Sequence, residues 1–406
     1  MTGNAALRRY GPWAALLIAA AAYYPRFAKD TVGMIVYPQA GGCVLQGASL
    51  RTCAEPFSYP PAFALPMAPF ALMPMGARVA VWYVISIAAT VGCFALSEKL
   101  VRRLPLGQWC ETELVWLRVA AIIASSKFVL AVYEYQAYDI LALLIVLAGL
   151  WALAERRALL SGAVLALATA IKATPLVFLP YLVVKRRYLA AAVFVVVLVV
   201  LSLLPDGYAA LKGTHPHYLQ TWLGQIAGPA LAHRSNDTVS FWDAWMGANN
   251  LNHSFRGMVA RLVAGTSAQS HAEQILRAIS AVYIAAVGLL LLRSARRDGL
   301  IAVDGSILAI SMLVLSPMTS RYHYILLLLP YMTVIAIAIK EPRLRIAASL
   351  AAGASFVMAT AMSNDLSGQW LTEWSYAHNF LIYSALVLFV FLAWCILRRE
   401  PAAAAA

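Results

Sequence analysis

The sequence predicts an all-α, polytopic membrane protein, and three observations carry that prediction. Hydrophobic side chains make up 62% of the 406 residues and charged ones only 12%, at a mean hydropathy of +0.74. A soluble domain carries about 25% charged residues, so this chain lacks the charge to cover a water-facing surface. The apolar runs are continuous, without the period-two alternation of barrel strands, and helices satisfy their own backbone in lipid. The short connections between the runs are basic. The same composition excludes a disordered chain, and five cysteines are too few for a secreted disulfide scaffold.

A spanning helix needs about 20 apolar residues. The runs fall near 8–24, 79–98, 114–132, 140–154, 158–172, 174–184, 188–204, 275–292, 300–317, 323–339, 346–363 and 379–397, which gives about 11–12 membrane helices in one domain, 1–400. Arg8 and Arg9 before an Ala-rich stretch resemble a signal peptide, but the many later runs favour an uncleaved first span. The basic connections at 98–113, 155–157, 185–187, 293–299, 340–345 and 398–400 place that side, with both termini, in the cytoplasm. That side holds about 18 of the 31 Lys/Arg and about 8 of the 18 Asp/Glu, so the net charge of +13 is mostly a topology signal. No nucleic-acid partner is needed to explain it. The alanine tail, 401–406, is low complexity.

Loops at about 25–78 and 205–274 face the other side, with shorter ones at 133–139, 318–322 and 364–378. Segments 158–172 and 174–184 are too short to cross, at roughly 16–22 Å if helical. Both are flanked by basic residues, Arg156 and Arg157 before and Lys185 to Arg187 after. The chain is therefore expected to enter, turn near Lys172-Ala-Thr-Pro175 and return, a turn tolerated at membrane depth only where protein or a wet cavity surrounds it.

Lys172, at the tip of that turn, is the first candidate site residue, because a lysine there is costly in lipid. Its ammonium suits a phosphate arriving from the membrane; the alternative is an ion pair that fixes the turn. Asp30, just past the first span, is placed to act as general base towards a hydroxyl, or else pairs with Lys29 or Arg26. The first outer loop then runs through Tyr37, Cys43, Cys53 and Tyr59-Pro60-Pro61, with Cys43 and Cys53 as a disulfide candidate on the oxidising side. A proline-punctuated stretch from Leu65 to Met75 reads as surface-lying.

The second outer loop offers His215, His217, Trp222, His233, Asp237, Trp242, Asp243, Trp245, Asn249, Asn250, Asn252, His253, Ser254 and Arg256. Such amide, hydroxyl and indole groups suit a sugar, although an interfacial aromatic belt has the same composition. A third outer site, Ser316 to Tyr324, adds Arg321 and His323 as donors for a phosphate leaving group. Glu134 and Asp139 are alternative bases or counter-charges. No D-x-D, HExxH, GxSxG, P-loop or Cys/His metal pattern is present, so no metal or other cofactor is expected.

Three stretches together resemble glycosyltransferase family 87, membrane enzymes of the GT-C fold that use polyprenyl-phosphate mannose. They are Tyr37 to Leu65 with its Tyr59-Pro60-Pro61 element, Ala168 to Arg187 with the Lys172–Pro175 turn, and Asn252 to Gly257 with Ser316 to Tyr324. The resemblance implies that Asp30 is the catalytic base, although many relatives carry an aspartate where this chain has Gly33. It implies a donor site from Lys172, Arg256, Arg321, His323, Tyr37, Tyr59, Asn252 and Ser254. The implied partners are the bilayer, a polyprenyl-phosphate hexose and a glycolipid or glycan acceptor. The implied location is a bacterial inner membrane, with inverting hexose transfer on the periplasmic face. A flippase for a lipid-linked sugar and an oligosaccharide ligase are the competing functions.

Overall fold

The protein is an all-α polytopic membrane protein. Its computed structural model describes residues 2–29, 31–232 and 249–398, and among these there is no β-strand. Asp30, the second-loop residues His233, Asp237, Trp242, Asp243 and Trp245, and the tail 401–406 lie outside the described residues.

Every apolar run is a helix, beginning with Thr2–Phe27. Among the described residues six are long and apolar enough to cross a bilayer: Met75–Val101, Glu111–Glu134, Tyr188–Leu211, Ser267–Ser294, Arg321–Lys340 and Phe380–Arg398. A seventh span results if Arg345–Ala361 and Asn364–Ala377, which meet at a 90° bend, are counted together. Asp139–Ala154, Ala158–Ile171 and Thr174–Val184 are apolar but shorter. The difference from the expected 11–12 lies partly in these shorter helices; the first expected span, Thr2–Phe27, is 26 residues long but is not among the six.

Burial sorts the helices as hydrophobicity predicts. Ile301–Val314, apolar apart from Asp304, Ser306 and Ser311, is entirely buried, as a central helix must be. Tyr188–Leu211 leaves Val195, Val196, Val199, Val200 and Leu203 exposed, a face suited to lipid tails.

The expected re-entrant turn has a geometric basis. The Ala158–Ile171 helix stops at Lys172, whose backbone is extended at φ −141° and ψ 119°. A 3₁₀ turn, Thr174–Val177, and the Phe178–Val184 helix follow. Pro175 has no N–H to donate to the Ile171 carbonyl, which disfavours one continuous rod. The two bases meet at one residue: Asp298 lies 2.7 Å from Arg187 and 3.8 Å from Arg156. Fourteen helical residues rise about 21 Å, so Lys172 stands that far from its anchored base.

Residues 25–78 hold helices where a loop was expected. Val32–Gln46 packs on Ala64–Ala71 so closely that a Cβ at Gly41 would lie 2.5 Å from the Met67 backbone. Ala64, Met67 and Phe70 are buried in that contact. Cys43 and Cys53 form a disulfide with Cα atoms 6.0 Å apart, while among the described residues Cys93, Cys110 and Cys395 lie outside any disulfide.

Candidate active site

Three short elements converge around one carboxylate. Asp139 opens the Asp139–Ala154 helix, Lys172 ends the Ala158–Ile171 helix, and His323 lies in the 3₁₀ helix Arg321–Leu327. Lys172 Nζ donates directly to Asp139 Oδ1, and His323 Nε2 is 3.6 Å from the same oxygen. His323 Nδ1 accepts from the backbone N–H of Ser320 at 2.7 Å. In a neutral imidazole that bond leaves the proton on Nε2, the nitrogen facing Asp139. The site is closed: the side chains of Asp139 and Lys172 are 3% and 11% exposed.

The group is not saturated. Among the described residues, Asp139 Oδ2, Tyr138 OH and Thr174 Oγ1 are buried without hydrogen-bond partners. Unused buried polar atoms cost about 1–3 kcal/mol each, and hydroxyl-rich ligands can satisfy them. Aromatic rings enclose the lysine side. Lys172 Nζ stands 5.4 Å over the Tyr138 ring, and Tyr138 contacts Tyr59 at 4.8 Å, Tyr37 at 5.7 Å and Phe63 at 4.3 Å between centroids. Burial holds the Tyr37 and Tyr59 phenols well above their ordinary range, and the Asp139 charge pushes the same way. Both remain protonated hydroxyls.

The expected site residues therefore divide. Lys172, His323, Tyr37 and Tyr59 gather around Asp139. Arg321 lies at the rim, bonded to Tyr135 and 3.5 Å from Glu134, which is also 3.9 Å from Arg26. Asn252 and Ser254 are fully buried and brace the site. Asn252 donates to Pro317 O at 2.7 Å and accepts from Ser254 N at 3.1 Å, Ser254 Oγ at 2.8 Å and Thr319 N at 3.2 Å. His253 N donates to Thr319 O at 2.6 Å, and Tyr324 OH to His253 O at 2.7 Å. A Cβ at Gly257 would sit 1.9 Å from Asn252 O, so this knot requires glycine. It fixes the loop that carries Arg321 and His323. Arg256 instead pairs with Glu273 at 3.3 Å.

Gln136 and Lys127 escaped the sequence reading. Gln136, at φ 49°, donates to Phe27 O at 3.0 Å and accepts from Met34 N at 3.2 Å. Its carbonyl accepts from Trp82 Nε1 at 2.9 Å. A Cβ at Gly33 would meet Gln136 O at 2.8 Å, so position 33 has no room for an aspartate side chain. Among the described residues no cluster of His, Cys, Asp or Glu is arranged to hold a metal ion.

A cavity beside Tyr59 is lined by Arg51, Phe57, Pro61, Tyr218 and Trp222. Tyr218 OH bonds Ala48 O and Trp222 Nε1 bonds Ser58 O, both at 2.9 Å, tying the second outer segment to the first.

Residues 57–317 match the family model described as glycosyltransferase family 87. The chain is similar to the polyprenol-phosphate-mannose-dependent alpha-(1-2)-phosphatidylinositol pentamannoside mannosyltransferase of Mycobacterium tuberculosis, at 28% identity over 281 residues. That match covers 66% of this chain and 56% of the relative, little more than half its length. The protein of the same description from Mycolicibacterium smegmatis is 31% identical over 137 residues, 34% of this chain and 31% of the relative. No solved structure matches the chain.

Proposed function

The chain belongs to glycosyltransferase family 87, and from that premise we propose that it moves a hexose, mannose by preference, from a polyprenyl-phosphate donor to a hydroxyl of a lipid-anchored glycan. The donor and acceptor classes follow the names of the mycobacterial relatives. The observation that carries the reading is the Lys172–Asp139–His323 group, enclosed by aromatic rings at the tip of a re-entrant turn and left with unused hydrogen-bonding atoms.

In this reading the donor enters sideways from the bilayer, its lipid along the helices and its sugar among Tyr37, Tyr59 and Tyr138. Asp139 is committed to Lys172 and serves as an anchor. Asp30 remains the proposed base, by sequence position. It takes the proton of the acceptor hydroxyl as that oxygen attacks the anomeric carbon from the face opposite the phosphate. The glycosidic bond forms with inversion as the bond to the phosphate oxygen breaks. The leaving polyprenyl phosphate gains negative charge, which Lys172, the His323 Nε2–H and Arg321 stabilise. Arg256, paired with Glu273, is the most distant of the proposed phosphate ligands from this role. The basic connections support a reading with both termini in the cytoplasm and the reaction on the outer face, in a membrane we take to be a bacterial inner membrane.

The test is transfer by purified full-length protein from synthetic polyprenyl-phosphate hexoses to glycolipid acceptors, with the product anomer read by NMR. Mannosyl transfer with inversion is expected, and Asp30→Asn should lower the rate by about 10²–10⁴. No transfer from any polyprenyl-phosphate hexose, together with accelerated movement of the donor across proteoliposomes, would instead support a flippase.

A further inference from the structure

Lys127 is an internal cation that the chemistry above does not use. It lies in the Glu111–Glu134 helix, and its Nζ donates to Ala359 O at 2.6 Å and Met362 O at 2.8 Å. Those carbonyls stand at the 90° bend after the Arg345–Ala361 helix. The ammonium is 5.1 Å over the ring of Tyr376. Tyr376 also lies close enough to Arg321 to feel its charge and is 4.8 Å from the His253 ring. Arg261 is near enough to that histidine for its charge to be felt, with Nε donating to Asn379 Oδ1 at 2.9 Å and Nη1 to the backbone oxygens of Asn249 and Asn252 at 2.5 and 2.8 Å.

Charge in this region does not balance. Among the described residues no carboxylate pairs with Lys127 or Arg261, and Glu134, beside Arg321, is shared with Arg26. Uncompensated charge inside a protein is costly, and carbonyl dipoles offset only part of it. His253 Nδ1 and Arg261 Nη2 are also buried without partners. His253 is 2% exposed, and burial, aided by Arg261, Lys127 and Arg321, lowers its imidazole to about 3. The Asn364–Ala377 helix beside the group exposes Leu366, Trp370 and Trp374, the pattern of a helix lying among lipid headgroups. A lipid phosphate occupies that depth.

We propose that Lys127, Arg261, His253 and Tyr376 form a second anion site that takes the phosphate of a lipid, beside the Lys172–Asp139–His323 group and sharing Arg321 with it. The proposal rests on the reading that this enzyme handles phosphate-bearing lipids. Two lipids carry the required chemistry: the polyprenyl monophosphate released by transfer and the phosphodiester of an acceptor lipid.

Binding of polyprenyl monophosphate and of phosphatidylinositol to the full chain in detergent, each titrated separately, tests the site. Lys127→Gln keeps a donor for the Ala359 and Met362 carbonyls but removes the charge. It should weaken one of the two lipids about tenfold or more, as expected for losing a charge-assisted hydrogen bond, and the lipid affected identifies the source. Lys127→Arg should retain binding. His253→Gln should weaken the same lipid severalfold with an unchanged melting temperature, and it decides the matter if Lys127→Gln does not fold. Equal affinity for both lipids in wild type, Lys127→Gln and His253→Gln would overturn the proposal and leave Lys127 as a cap on the bent helix. Transfer measured in parallel separates the two ideas. Intact transfer with unchanged binding removes only this site, whereas weakened binding in a chain that transfers no sugar removes only the transferase reading.

Discussion

The re-entrant segment carries two lysines, each paired with a buried aspartate, and they have opposite surroundings. At the base, Lys185 Nζ lies 2.7 Å from Asp304 Oδ2 and donates to Ser294 O at 2.7 Å and Arg297 O at 3.2 Å. Asp304 is completed by Ser294 Oγ at 2.7 Å and Tyr181 OH at 3.4 Å. The two side chains are 2% and 0% exposed. Every charged oxygen and the ammonium have work within the fold, so this pair is structural. At the tip, Lys172 meets Asp139, but Asp139 Oδ2 is unused, His323 waits at 3.6 Å, and two further hydroxyls have no partner. One chemical pair thus serves two ends. What separates a strut from a site here is whether the surrounding polar atoms are satisfied.

Substitutions can break or sharpen that contrast. The largest effect is expected from Lys172→Met combined with Asp139→Asn, a nearly charge-neutral exchange that should leave the fold intact. Transfer from a labelled polyprenyl-phosphate hexose should fall by about 10²–10³, the scale for removing transition-state charge stabilisation. Next, Lys185→Met should cost about 3–5 kcal/mol of stability because it strands Asp304 in the core. Thermal unfolding in detergent checks this, and adding Asp304→Asn should restore most of the loss without changing transfer per folded molecule. Removing the Asn252 knot with Asn252→Ala leaves several buried partners unmet and should cost about 3 kcal/mol, with a rise in donor KM as the His323 loop loosens.

The smallest effect is one of pH. His253 has its folded-state value depressed to about 3, against about 6.5 unfolded. The unfolded chain therefore binds the extra proton first. Stability from this group is complete above about pH 6.5 and is lost as pH falls, by about 2 kcal/mol at pH 5. Unfolding measured at both pH values should show that loss, and His253→Gln should reduce it.

The membrane helices were legible because lipid demands uninterrupted apolar runs, and the re-entrant turn because Lys172 and Pro175 break one. Lys172 stood out for the same reason: a charge in an apolar run is expensive. The helices within 25–78 were not legible. Their glycines and prolines mimic loop composition, while Gly33 and Gly41 in fact allow backbones to touch. Asp139 read only as an alternative, since its partners Lys172 and His323 lie far along the chain and adjacency in sequence says nothing of them. Lys127 was hidden inside a span whose apolarity absorbs one lysine; its partners, Ala359 and Met362, are more than two hundred residues away. The motif Asn252 to Gly257 was legible as important, but its Asn252 and Ser254 side chains point into a brace.

The most direct test of the contrast compares Asp139→Asn with Asp304→Asn, with kcat/KM for a polyprenyl-phosphate hexose normalised to folded protein. The account predicts a loss of about 10² or more for Asp139→Asn and a value close to wild type for Asp304→Asn, whose penalty appears in stability alone. Equal kcat/KM for the two variants would contradict it, placing the reaction away from the tip of the re-entrant turn.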